Sequence, residues 1–452
     1  MSEQELAERA LARAGDGEVQ VTVTRERSLH SRFARSAPTQ ATAVDDTTVD
    51  VLVVRDGHTA SATTNALDDE AIRSAAAAAR SAAEVLAEHG PGGYPGLPEP
   101  QAHRAHDGHD PATARLDPET AAAALDAAFD VAAEHGAEAF GLWSAGEVRT
   151  AIASSTGLRA HDAVTDAYLK IVCRDGDGRS GFAASHAVAA SGLDPEAVAR
   201  DAAAKLPRGE LAEIAPGDHP VVLGPHAVGM LLAFLGGLAF DGLAHAEGRG
   251  ALSGRLGTRV AAAQINLSDS PRFAGTLPRA FDAEGVPKTP LPLIQDGVAH
   301  RVVHDTRSAA IAGGAARSTG HAMLPGGSPF GTAPTNLVLV GGGAADEAEL
   351  AAPIERGLYV NRFWYVNPVD PRRTLLTGVT RDGTFLIEDG RITRPVRDVR
   401  FTDTVLGVLD RVQALGARPR LVSEAEFYGR RFATGVVCPP LRASALRITG
   451  GA

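Results

Sequence analysis

Cysteine, aromatic side chains and excess positive charge are all scarce in this chain. It has two cysteines in 452 residues, Cys173 and Cys438, set far apart in the sequence. Two distant thiols give no disulfide framework, so a reducing compartment is expected. Aromatic residues make up 5%, which leaves the core to alanine, valine and leucine. Lysine and arginine number 44 against 55 acidic residues, a net charge of −11. That balance excludes a general nucleic-acid or anionic-membrane surface. Long apolar runs are missing as well. The longest, Ala227 to Phe240, is too short to span a bilayer. The opening segment MSEQELAERALARAGDGEV is charged and has no apolar core. It reads as neither signal peptide nor anchor, and a cytoplasmic location is expected.

Glycine is abundant. The 49 glycines exceed the usual ~7% and predict many turns and close backbone approaches. The length suits two domains of about 200 residues each.

Periodicity then divides the chain. Ser2 to Ala14 has helical spacing ended by Gly15. Val19 to Arg25 alternates like a strand, as do Ala41 to Val54 and His58 to Thr64, with an Asp56-Gly57 turn between the last two. Leu67 to Glu88, Pro118 to His135 and Pro195 to Leu206 read as helices, and Glu138 to Val172 as two or three strands. The turn-rich string Ile214 to Pro220 marks the boundary. Residues 1–215 are expected to form an antiparallel sheet with packed helices. Residues 216–452 are expected to form a strand-rich domain with a buried helix, so the fold class is α+β. In the second half, Gln295-Asp296-Gly297 and Glu388-Asp389-Gly390 are hairpin turns between apolar runs, and Phe401 to Leu415 reads as a helix. No repeat of 20–50 residues is visible.

Few motifs carry chemistry. His103, His106 and His109, with Asp107 and Asp110, lie in a Pro- and Gly-rich stretch that reads as a solvated linker. His245 and Glu247 form a His-x-Glu without a third partner at diagnostic spacing. His304, Asp305 and His321 are further candidates in the second half. Ser180 and Ser253 lack a nucleophile-elbow context, and Gly341 to Gly343 lacks the lysine of a phosphate loop. The cluster Phe363-Trp364-Tyr365 suits a peptide channel, a partner anchor or plain core. Gly229, Ala233, Gly236 and Gly237 recur near helical spacing. They fit either a close backbone approach or an internal helix weakened by about 1 kcal/mol per glycine.

Several strings together resemble one known family. They are Ala43 to Val49, Asp56-Gly57, Ala62 to Asn65, Ser154 to Leu158, Leu252 to Gly257, Phe281 to Pro287, Arg317 to His321 and Leu386 to Val396. In this order and spacing they are similar to the TldD/TldE (PmbA) metallopeptidases, and more to the TldE side. The resemblance implies a two-chain enzyme whose active, TldD-like subunit holds zinc. Its ligands are two histidines of a His-Glu-x-x-x-His helix and a cysteine near the C-terminus, with the glutamate as general base.

At the matching helix this chain has Ala233, Phe234 and Leu238 in place of histidine, glutamate and histidine. The cysteine position falls within Tyr428 to Phe432, which has no cysteine; Cys438 comes several residues later. The resemblance therefore implies a zinc-free subunit with no catalytic residue and no metal ligand of its own, zinc being expected in a TldD-like partner. This subunit would close a chamber around an extended peptide, with His321, Phe363, Trp364 and Tyr365 as candidate chamber residues. Two other readings stand beside it. One is an autonomous hydrolase with a relocated site drawn from His245, Glu247, His304 and His321. The other is a peptide-binding module without turnover.

Overall fold

A computed structural model describes every residue except 91, 424–428 and 452. The first half begins with α1 (Glu3–Arg13), β1 (Glu18–Ala34), β2 (Ala37–Arg55), β3 (His58–Thr64) and α2 (Asp69–Ala87). It continues with α3 (Pro118–Glu134), β4 (Glu138–Ser154), β5 (Arg159–Arg174), β6 (Ser180–Ala187) and α4 (Pro195–Ala204). The order α-β-β-β-α thus occurs twice. The six strands join into one antiparallel sheet in the order β3-β2-β1-β4-β5-β6. This longer-period duplication escapes a search at 20–50 residues.

Alternation decides which face of that sheet meets the helices. Val19, Val21 and Val23 of β1, Val49, Val51 and Val53 of β2, and Ala151 and Ala153 of β4 pack on α1 and α2. Ala167, Leu169 and Ile171 of β5 pack with α3 and α4 residues in a second cluster. Small alanines on the helices (Ala75, Ala76, Ala79, Ala83) let them lie close to the valines. Local caps agree with the tertiary fold: Asp68 accepts from the amides of Glu70 and Ala71, and Asp194 accepts from that of Ala197.

The second half contains β7 (Gly217–Leu223), α5 (Pro225–Ala239), α6 (Gly242–Ala246), β8 (Leu267–Asp269), β9 (Leu291–Gln295), β10 (Val298–Ala299) and α7 (Thr306–Ala312). Then come β11 (Asn336–Leu339), α8 (Glu347–Ala351), β12 (Arg356–Asp370), β13 (Leu375–Glu388), β14 (Arg391–Pro395) and β15 (Val399–Thr404). The chain closes with α9 (Val405–Asp410), β16 (Val412–Leu415), β17 (Arg420–Val422), β18 (Gly435–Cys438) and β19 (Leu441–Gly451). One sheet runs β10-β9-β8-β11-β18-β17; a second runs β12-β7-β19-β15-β13-β14. Pairing of β12 with β13 closes the second sheet on itself. The whole is α+β, as its sequence pattern predicts.

Helix α5 packs between these two sheets, with Val228, Leu231, Leu232 and Leu235 at most 3% exposed. Burying each such side chain stabilises by about 1.5–3 kcal/mol. One edge of α5 stays open: Ala233 and Gly237 are exposed, and Met230, Phe234 and Leu238 are half-buried against the core.

Both hairpin turns form as read. Asp296 and Asp389 have φ of 48°, each followed by a glycine at positive φ, the pattern of a two-residue turn matched to strand twist. One helix expectation fails. Phe401 to Leu415 is not a single helix but the end of β15, the short α9 and β16. Its apolar positions serve two sheet contacts and one turn of helix, and a short apolar run has no period that separates those cases. Among the described residues no helix is long and apolar enough to cross a membrane.

Candidate functional site

The face of the first sheet opposite its helices is rich in hydroxyls. Thr22 and Thr24 of β1, Thr59, Ser61 and Thr63 of β3 and Thr150 of β4 line it, together with Asp50, Leu52, Val148 and Ile152. In sequence such residues read as the solvent side of a half-buried sheet. Here the second half of the chain packs against part of this face and leaves an open cavity of about 630 Å³, with Ser61 and Thr63 still exposed, within the ~300–1,000 Å³ of ligand pockets. Hydrogen bonds tie its two sides together. The Gln20 side-chain amide donates to Ala283 O at 2.8 Å, Arg307 Nη2 to Thr59 Oγ1 at 2.9 Å, and the Ala280 amide to Asp162 Oδ2 at 2.9 Å.

Three loops of the second half form the opposite wall: residues 279–288, 320–329 and 430–432. Left-handed backbone lets the first two meet. Gly320 has φ of 76°, and a Cβ there would lie 2.6 Å from Pro287 O. Behind the wall sits a buried ionic cluster. Lys288 Nζ lies 3.2 Å from Asp269 Oδ2 and donates to Gly320 O at 3.3 Å. His321 Nε2 lies 2.9 Å from the same Asp269 oxygen, off the line a hydrogen bond needs, while its Nδ1 meets Thr319 Oγ1 at 3.0 Å. Asp269 Oδ1 accepts the amides of Thr335 and Asn336. Burial alone would raise the Asp269 pKa, but Lys288 and His321 more than reverse this and hold it below the usual carboxylate range. Burial and the Lys288 charge lower the His321 pKa.

Asp282 and Glu284 behave in the opposite way. Burial pushes both pKa values up, and for Glu284 the Asp282 charge adds to it. Asp282 accepts three backbone amides, from Glu284, Val286 and Ala322. Glu284 accepts from Tyr94 Oη at 3.1 Å and from the amide and hydroxyl of Thr306. The pair fixes the wall loop to both halves of the molecule.

The rim carries Arg430, paired with Asp50 at 2.8 Å, and Arg431, buried on Asp166. Apolar groups flank them: Phe281 is buried, while Met323, Leu324 and Phe432 are 38%, 49% and 41% exposed.

Of the residues singled out from sequence, His321 lines this cavity. His304 stands one step behind it: Thr319 Oγ1 bonds both the His304 backbone and the His321 ring. His245 sits in α6, half-buried, and Glu247 is exposed and paired with Arg249 at 2.5 Å. Phe363, Trp364 and Tyr365 lie elsewhere. Phe363 packs on Phe401 in the core, Trp364 sits by Arg362 and Arg381, and Tyr365 is 78% exposed. Ala233, Phe234 and Leu238 lie along the open edge of α5 and offer no nitrogen, oxygen or sulfur donor on their side chains, so these positions do not fit zinc. Gly429 to Phe432 hold no thiol; Tyr428 falls outside the described residues. Cys438 is buried with Sγ 3.4 Å from Pro225 O, and burial pushes its thiol pKa up. Among the described residues no group of three or more His, Cys, Asp or Glu could hold a metal ion.

The histidine-rich stretch corrects its sequence reading. His106 is 5% exposed and pairs with Asp162 at 2.8 Å, and His109 pairs with Glu147 at 2.8 Å. The stretch is irregular in backbone but docked, because each imidazole meets a carboxylate from a sheet strand distant in sequence. Sequence reasoning passed over Asp269, Arg279, Lys288 and Arg431. Arg279 and Lys288 flank the family string Phe281 to Pro287, and Arg431 lies within Tyr428 to Phe432, while Asp269 carried no such signal.

Comparison with known proteins agrees across the chain. Residues 19–83 match the PmbA/TldA metallopeptidase domain 1, residues 111–208 its central domain and residues 216–450 its C-terminal domain. A metalloprotease of Methanothermobacter thermautotrophicus is 27% identical over 209 residues, 45% of this chain and 44% of that protein. A metalloprotease TldD homolog of Haemophilus influenzae is 24% identical over 291 residues, 63% and 56% of the two chains. The chain thus spans about half the length of the curated relatives it matches. In fold it is similar to TldE of Thermococcus kodakarensis, with a TM-score of 0.86 at 21% identity over 99% of both chains. It is also similar to a proposed modulator of a DNA gyrase from Thermotoga maritima, with a TM-score of 0.83 at 19% identity over 99% of this chain and 100% of that one. The three matched domains, in order and together spanning most of its length, place this chain in the PmbA/TldA (TldD) metallopeptidase family.

Proposed function

We propose that this chain is a TldE-like, zinc-free subunit of a two-chain TldD/TldE-type metallopeptidase. In this reading it supports a TldD-like catalytic partner, encloses the chamber and helps bind unfolded or leader peptides. One observation carries the proposal: α5 keeps its place between two sheets while Ala233, Phe234 and Leu238 carry no donor atom. A scaffold without ligands can neither hold zinc nor polarise water. The cavity supports the peptide-binding part, since hydroxyls along a sheet face suit the polar groups of an extended backbone. The first sheet also ends in the strand β3, an edge to which a peptide strand can add. Two buried free thiols fit a cytoplasmic setting.

The test is co-expression with a TldD-like protein of the same genome, followed by metal analysis and peptide turnover. The expected result is a one-to-one complex, zinc stoichiometric with the partner alone, and turnover only when both chains are present. Stoichiometric zinc and peptidase activity in this chain by itself would overturn the reading.

A further inference from the structure

Four cations line the cavity: Arg279, Lys288, Arg430 and Arg431. Three have a carboxylate. Lys288 pairs with Asp269, Arg430 with Asp50 and Arg431 with Asp166. Arg279 has no ion pair among the described residues. Among the described residues one of its five N–H donors hydrogen-bonds, Nη2 to Ala433 O at 3.1 Å, and its buried Nε has no partner. The guanidinium is held flat against Phe432, 3.7 Å from the ring centroid. Burial lowers its pKa to about 10, so it stays cationic at neutral pH.

The carboxylates at the same wall already have partners. Asp50 holds Arg430, Asp162 holds His106 and the Ala280 amide, and Asp282 takes three backbone amides. A partly dehydrated guanidinium with free donors favours an incoming carboxylate, whose two oxygens match its planar fork. One cation with no ion pair among the described residues, beside carboxylates that are already engaged, suits a monoanion and disfavours a dianion such as phosphate. The cavity lining also holds the apolar Phe281, Met323, Leu324 and Phe432, the last of these against Arg279, and the facing sheet offers Thr22, Thr24 and Thr150.

We propose that Arg279 receives the C-terminal carboxylate of a peptide whose last side chain is apolar. The cavity is then a subsite for peptide C-termini. The terminal side chain lies among Phe281, Met323, Leu324 and Phe432, and the preceding backbone faces the hydroxyls of the first sheet. This rests on the reading that the chain binds peptide, and it adds which end is recognised.

The experiment is calorimetric titration of the full chain with one N-acetylated pentapeptide ending in leucine, prepared as the free acid and as the C-terminal amide. The acid should bind about 10- to 100-fold more tightly, the range of a charge-assisted hydrogen-bonded contact. Arg279→Gln should bring the acid down to the affinity of the amide and leave the amide unchanged. Arg279→Lys keeps the charge without the fork and should lose part of the preference. Thermal melting checks that each variant folds; if Arg279→Gln does not, the wild-type acid-to-amide ratio and Arg279→Lys decide. Equal affinity for acid and amide overturns the proposal, as does a preference that survives in Arg279→Gln. An inactive pair of chains with the carboxylate preference intact overturns only the subunit reading. An active pair without that preference overturns only the Arg279 subsite.

Discussion

Arg431 grips Asp166 with two parallel bonds, Nε to Oδ1 at 2.6 Å and Nη2 to Oδ2 at 2.7 Å. The residues are 265 positions apart, and both side chains are at most 3% exposed. His186 Nε2 adds a contact of 2.8 Å to Asp166, and the Arg431 amide donates to Glu26 at 2.8 Å. The last part of the chain is thereby fastened to the middle of the first sheet, beside the cavity. Breaking a buried pair from one side costs more than replacing both partners, because the survivor stays charged and buried.

Asp166→Ala should therefore lose about 3–5 kcal/mol, and the double variant Asp166→Leu/Arg431→Met clearly less. Urea denaturation of Asp166→Ala and of the double variant gives the comparison. The pair also predicts an acid response. Burial alone would raise the Asp166 pKa, but Arg431 and His186 bring it below its ordinary 3.8. A lowered carboxylate contributes stability that is present above the unfolded value and lost as pH falls through the folded one. Asp166→Asn should remove that part of the acid sensitivity.

Glu284 predicts the reverse pH response. Its folded pKa is raised above 4.5 by burial and by Asp282. The folded state therefore keeps a proton that the unfolded state releases. That contribution is fully present below the unfolded value and declines as pH rises through neutrality, by at most about 1.4 kcal/mol per pH unit for a single group. Glu284→Gln has the same shape and no charge. It should flatten this decline and exceed wild type in stability at about pH 8. Denaturant midpoints measured from about pH 5 to about pH 8 check it; identical slopes in the two proteins would show that Glu284 is ionised throughout.

Two glycines of α5 should respond in opposite directions. A Cβ on Gly229 would lie 2.7 Å from Val422 Cγ1 and 2.8 Å from its Cβ, whereas one on Gly237 meets nothing within 4 Å. Gly229→Ala should destabilise by about 1–3 kcal/mol through overpacking. Gly237→Ala should stabilise by about 0.5–1 kcal/mol, because it gains helix propensity without a clash. Thermal melts of the two variants suffice, and a destabilised Gly237→Ala would reveal a contact that this chain makes only with another molecule.

Cys173 and Cys438 are both buried, and burial raises both thiol pKa values, that of Cys173 to about 11. The thiolate is the reactive form. Neither should react with a thiol reagent in the native protein at neutral pH, and both should react in denaturant. Fast native labelling at either position would contradict the burial described here.

Much of the architecture was legible because local rules and global packing agree in it. The helices ending at Arg13 and Ala87, the strand His58–Thr64 and both Asp-Gly hairpins follow from capping residues, alternation and positive-φ turns. That Ala233, Phe234 and Leu238 carry no donor atom on their side chains is a matter of composition alone. Phe401 to Leu415 was misread because a short apolar run fits a strand, a turn of helix and another strand as well as one helix. His106 and His109 were misread because a Pro- and Gly-rich loop looks solvated until carboxylates from β4 and β5 reach it.

What the sequence determined by itself is the fold class and many of the first-half elements, because these depend on period and turn chemistry within short windows. What only the tertiary structure decided is which polar residues meet around the cavity. Thr22, Asp269, Arg279, Lys288 and Arg431 come from distant segments, and their charges matter through distances and burial that no spacing encodes. An Arg279 with no ion pair among the described residues and a Glu284 with a raised pKa exist only once the second half of the chain packs against the first sheet.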